Sequence, residues 1–127
     1  MAGLLTSGLS LEDLTPQENF LYHYHLNNLN GPGKVINPDG SISTVFQTVI
    51  GQGSKYYNIP TVWGGKIVSP YEALSNAQAM GIDKFPSYSS PKEADQRYMQ
   101  MHKFMEQDVA RYMKSNRGIL SSNRNSR

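Results

Sequence analysis

Apolar positions recur three and four residues apart in three stretches of this chain, and two apart in a fourth. From Pro91 onward Ala94, Tyr98, Met101, Met105, Val109 and then Tyr112 or Met113 form one stripe, which predicts an amphipathic helix over 91–115. A short alanine-rich helix over 70–80 is predicted to bury Ala73, Leu74 and Ala77, and a helix over 16–29 has its faces marked by Phe20, Leu21, Tyr24 and Asn28. Between them Ile42, Thr44, Phe46, Thr48 and Ile50 alternate with Ser43, Val45, Gln47 and Val49. A period of two in a run rich in β-branched residues is the pattern of a strand.

The ends of these elements are written in local chemistry. Thr15-Pro16-Gln17-Glu18, Ser69-Pro70-Tyr71-Glu72 and Ser90-Pro91-Lys92-Glu93 share one form. A hydroxyl can accept the third helical N–H, a glutamate can reach back to the cap, and proline sits where its missing donor costs nothing. Gly31-Pro32-Gly33 stops the first helix and Gly81 the second. Asn37-Pro38-Asp39-Gly40 makes a turn before the strand, and Gly51-Gln52-Gly53-Ser54 reverses the chain into a second strand over 55–59 that Pro60 closes. A third strand near 65–68 is placed to join them after the turn at Trp63-Gly64-Gly65-Lys66.

Strands segregated from helices predict an α+β domain: a small antiparallel β-meander of two or three strands packed with three helices, which cover one sheet face. The body is residues 15–115. Residues 1–14, with Leu4, Leu5, Leu9, Leu11 and Leu14, form an apolar arm suited to packing on a neighbouring subunit, and residues 116–127 form a basic polar tail.

Charge sharpens this division. All ten acidic residues lie at or before Asp108, together with seven basic ones, whereas Arg111, Lys114, Arg117, Arg124 and Arg127 follow it. The tail cations either contact nucleic acid or an acidic protein surface or form a solvated terminus. Because the folded part is acidic and its basic residues are sparse, nucleic acid is the weaker reading. With 17% charged residues the surface leans on uncharged polar groups, which suits protein contacts. The first five residues lack a cationic region, and no apolar run of membrane-spanning length occurs, so neither a signal peptide nor a membrane partner is expected.

Candidate chemistry is sparse. Without cysteine there is no disulfide, thiolate ligand or cysteine nucleophile. His23 and His25 lie two apart in a helix and point about 200° away from each other. They cannot share a metal face, so the three histidines, His102 included, read as surface or interface groups. No Gly-x-Ser-x-Gly elbow occurs, the glycine pairs lack the later residues of a phosphate loop, and Glu18, Glu72 and Glu93 are accounted for by capping. No catalytic residue, metal or cofactor is expected. The aromatic group Tyr56, Tyr57, Trp63, Phe85, Tyr88 and Tyr98 is the remaining unusual feature. Most of it reads as core, with Tyr57, Trp63, Phe85 and Tyr88 candidate interface anchors beside Leu4, Leu5 and Leu9.

Leu26-Asn27-Asn28-Leu29, Asn37-Pro38-Asp39-Gly40-Ser41-Ile42-Ser43-Thr44 and the run from Tyr57 to Lys66 make a series that continues through Glu72-Ala73 and Gly81–Tyr88 to Tyr98–Glu106. Over residues 20–110 the chain resembles a small module of tailed bacteriophages, seen as short proteins and inside large virion or ejection-associated polypeptides. The resemblance implies a non-catalytic virion protein, made in the host bacterial cytoplasm and docked in multiple copies on capsid, portal or tail proteins. It brings no catalytic or ligand residues to carry over. An accessory module of a cell-wall-degrading or DNA-ejection machine is the alternative, binding peptidoglycan or DNA through Trp63, Tyr57 and the tail cations Arg117, Arg124 and Arg127.

Overall fold

Capping chemistry at Thr15, Ser69 and Ser90 starts all three helices. In the computed structural model, which describes residues 10–125 and the side chains of residues 10–116, α1 spans Pro16–Asn30. Its cap is reciprocal: Thr15 Oγ1 accepts the Glu18 N–H at 3.1 Å, and Glu18 Oε1 accepts the Thr15 N–H at 2.9 Å. Helix α2 (Pro70–Met80) begins with Ser69 Oγ accepting the Glu72 N–H at 3.1 Å. It ends at Gly81, whose φ of 116° excludes most side chains and whose N–H donates to the Ala77 carbonyl. Helix α3 spans Pro91–Asn125. Glu93 reaches past its cap to the N–H and hydroxyl of Ser89.

The apolar stripe of α3 stops at Met113, so periodicity placed the helix end at Ser115. Helical hydrogen bonding carries on beyond it, into the stretch read as a tail.

The strands are β1 (Val35–Ile36), β2 (Ile42–Ser43), β3 (Thr48–Gln52), β4 (Lys55–Ile59), β5 (Val62–Trp63), β6 (Lys66–Ile67) and β7 (Ser87–Tyr88). They form three antiparallel sheets, β1–β2, β3–β4–β7 and β5–β6. The fold is α+β, with two corrections to the expected meander. First, the long strand over 42–50 is broken at 44–47. Phe46 takes a φ of +46°, and the Val45 carbonyl turns to accept the N–H groups of Thr61 and Val62. Second, the hairpin through Gly64-Gly65 stays apart from the main sheet, whose third strand is supplied by the Phe85-Pro86-Ser87-Tyr88 link. Both glycines have positive φ, the geometry of the tight two-residue turn between antiparallel strands.

Tyr57, Asn58 and Ile59 are buried in succession. Successive strand residues point to opposite faces, so β4 is covered on both sides rather than the one expected. Asn58 faces α3, where its amide donates to the Ala94 carbonyl at 3.0 Å. The core joins Leu21 of α1, Ile59 of β4, Phe85 and Met101 of α3, all fully buried, with Phe20 edge-on to Phe85 at 5.2 Å. Leu14 is also buried and Leu11–Asp13 forms a 3-10 turn, so the last residues of the predicted arm belong to the body. Of the expected α2 core, Ala73 and Ala77 are buried and Leu74 is half-buried.

Candidate functional site

Two polar clasps tie α1 to α3, which run side by side in the same direction. Near their starts, Glu18 is fully buried and its carboxylate is enclosed by donors. Arg97 Nε donates to Oε2 at 2.8 Å and Nη2 to Oε1 at 2.5 Å, while the Tyr88 hydroxyl donates to Oε2 at 2.6 Å. Burial pushes the Glu18 carboxyl up, but the hydrogen bonds from Arg97, Tyr88 and Thr15 outweigh it and hold the pKa below the ordinary value. The same burial, with the carboxylate beside it, raises the Tyr88 hydroxyl far out of its usual range.

Further along, His25 is fully buried, against the surface or interface position expected of it. Its Nε2 lies 3.2 Å from Asp108 Oδ2 and its Nδ1 2.6 Å from Thr44 Oγ1. A carboxylate only accepts, so Nε2 carries the proton and Nδ1 accepts from Thr44. Asp108 also accepts from the Tyr22 hydroxyl and the Arg111 guanidinium. Burial lowers the His25 pKa, with Asp108 partly opposing it, and raises that of Tyr22 to about 12, reinforced by Asp108.

Thr44, His25 and Asp108 stand in the order hydroxyl, imidazole, carboxylate that nucleophilic catalysis uses. The chemistry also requires the imidazole to hand its proton to a leaving group. His25 has no exposed surface through which to reach one. Among the described residues, every buried side-chain nitrogen and oxygen has a partner. The geometry is that of a fastener: one helix holds a loop and a second helix through a fixed tautomer. Neither clasp is visible in the sequence, because capping already explains Glu18 and because Tyr88, Arg97 and Asp108 lie 70 or more positions from the α1 residues they hold.

Among the described residues a groove of about 550 Å³ lies open to solvent between residues 41–47 and the α3 face from Tyr98 to Met113. Its walls are mainly apolar, with Val45, Phe46, Tyr98, Met105, Val109 and Met113 among them. His102 and Glu106, 3.7 Å apart, are its ionisable groups. Phe46 stands at this groove 60% exposed, in the left-handed backbone region that disfavours a bulky residue by about 1–2 kcal/mol. The conformation is held from below, since the Phe46 carbonyl accepts the Thr61 hydroxyl and the neighbouring Val45 carbonyl accepts two backbone N–H groups. An exposed aromatic maintained in a strained backbone is a feature of binding sites. The stripe of α3 was legible as a stripe, but Tyr98, Val109 and Met113 are half-buried groove lining rather than core.

The expected anchors fall differently. Tyr57 and Phe85 belong to the core, and Tyr88 is half-buried on Glu18. Trp63 is half-buried against Tyr24, its ring centroid 5.4 Å away and its N–H donated to the Pro60 carbonyl at 2.7 Å. Tyr57 and Trp63 therefore do not present the paired open rings that peptidoglycan binding would use. Leu4, Leu5 and Leu9 lie outside the described residues, as do the side chains of Arg117, Arg124 and Arg127. The strongly exposed aromatics among the described residues are Phe46 and Tyr71.

Comparison with protein families, with curated proteins and with solved structures finds no match to this chain. Among the described residues no helix is long and apolar enough to cross a membrane.

Proposed function

We propose that this chain is a non-enzymatic docking module of a bacteriophage virion, held in multiple copies on capsid, portal or tail proteins. The phage setting rests on the resemblance over residues 20–110. The docking role rests on one observation, the apolar groove beside the exposed, left-handed Phe46. The His25 clasp braces its walls from behind, because Thr44 lines the groove and is bonded to His25, while Asp108, bonded to the other side of the same ring, lies on the helix that forms the opposite wall. A pre-braced groove loses little conformational entropy when a partner enters, which favours binding by weak contacts repeated over many copies.

The test is the position and copy number of the chain in a density map of assembled particles, comparing the parent with Phe46→Gly. Glycine relieves about 1 kcal/mol of backbone strain, and this offsets the freedom it adds to the unfolded chain. The variant is expected to melt within about 3 °C of the parent and to be depleted from particles. Full loading of particles by a folded Phe46→Gly chain would falsify the docking role.

A further inference from the structure

The chain itself carries an apolar segment that matches the groove in composition. Residues 1–9, Met-Ala-Gly-Leu-Leu-Thr-Ser-Gly-Leu, carry three leucines and no ionisable side chain, and the groove they would meet is lined by Tyr98, Met105, Val109 and Met113. The groove's ionisable groups, His102 and Glu106, are both exposed and stand 3.7 Å apart at its rim, leaving the Tyr98–Met113 lining apolar.

Length and position decide which copy supplies the segment. From Tyr98 to Met113 the groove wall is roughly 22 Å long at the helical rise per residue. Nine extended residues reach roughly 30 Å, with little to spare. The described chain begins at Ser10, and Arg97 Nη2 lies 3.5 Å from the Asp13 carbonyl, so the segment leaves the body on the α1 side of α3. At 3.6 residues per turn, the groove face of α3 is centred roughly 140° around the helix from Arg97. A segment returning to its own groove has to cross the helix first, which uses up the reach it needs to fill the groove. A neighbouring copy faces no such detour.

We infer that the leucines of residues 1–9 fill the α3 groove of a second copy of this chain, linking copies arm to groove. The inference rests on the docking reading above and names the occupant. An arm-to-groove contact is heterologous, so it extends from copy to copy until a ring or a shell closes.

The experiment places a photoreactive benzophenone side chain at position 5 of the full chain, mixes light and isotopically heavy copies, and maps cross-linked peptides by mass spectrometry. The expected result is cross-links from position 5 to residues 41–47 or 98–113, with light–heavy pairs present. Sedimentation of the full chain is expected to show self-association at least tenfold weaker for Leu4→Asp and for Val109→Arg at the groove. Cross-links confined to single chains, cross-links elsewhere, or an unchanged association for Leu4→Asp overturn it. Particle loading separates this failure from failure of the docking reading. If Val109→Arg is depleted from particles while Leu4→Asp loads fully, the occupant is wrong and the groove still docks. If both load fully, docking itself fails.

Discussion

Arg97→Ala is expected to lower the folding free energy by about 3–5 kcal/mol, because it leaves a buried carboxylate without its counter-charge. Glu18 has no solvent to turn to, and after the change only the Tyr88 hydroxyl and the Thr15 N–H still donate to it. Against a total stability of about 5–15 kcal/mol for a small domain, that is a large share. Arg97→Lys is expected to recover only part of it, since a single ammonium cannot reproduce two directed N–H bonds on two carboxylate oxygens. The double change Glu18→Gln with Arg97→Met should cost less than Arg97→Ala alone, because no unpaired charge stays buried. Urea unfolding followed by circular dichroism measures all three, and a loss below 1 kcal/mol for Arg97→Ala would refute the reading of this pair.

Asp108→Ala is expected to cost about 3 kcal/mol, by stranding the Tyr22 hydroxyl and the His25 Nε2–H. The same cluster sets a pH response. Burial gives His25 a folded pKa below its unfolded value of 6.5, so the unfolded chain takes up a proton that the folded one refuses. The stability His25 contributes is therefore complete above pH 6.5 and is lost as pH falls from there through the folded pKa. Glu18 acts in a lower window. Its folded pKa is depressed, so its contribution is complete above the unfolded value of 4.5 and is lost as pH falls through the folded one. Urea midpoints measured from pH 7.5 to 3.5 should decline in these two stages. His25→Gln should flatten the upper stage and leave the lower one, and an unchanged upper slope in that variant counts against the buried-imidazole account.

Signals that are self-contained are legible in the sequence. The starts at Pro16, Pro70 and Pro91, the Gly81 stop and the strand over 55–59 depend on neighbours a few residues away. What could not be read depended on distant partners. Alternation over 42–50 is a strand signal, yet Thr44 turns to a histidine in α1 and Val45 to the backbone at 61 and 62, so the run breaks where those bonds are made. Ser87-Tyr88 joins the sheet only because Tyr56 and Tyr57 are there to receive it. Phe46 carried no sign of being exposed, since an aromatic in an alternating run ordinarily faces the core. Its left-handed backbone follows from contacts made by the residues around it.

Both clasps join groups far apart along the chain, with 79 positions between Glu18 and Arg97 and 83 between His25 and Asp108. On the ribosome, α1 and the β3–β4 hairpin emerge well before the helix that neutralises Glu18 and anchors His25. Until Arg97 has been made, the Glu18 carboxylate lacks its counter-charge, and until Tyr98–Met113 follow it the groove has only one wall. The groove is thus completed by the last of its elements to be synthesised, after α1 and the hairpin that it packs with.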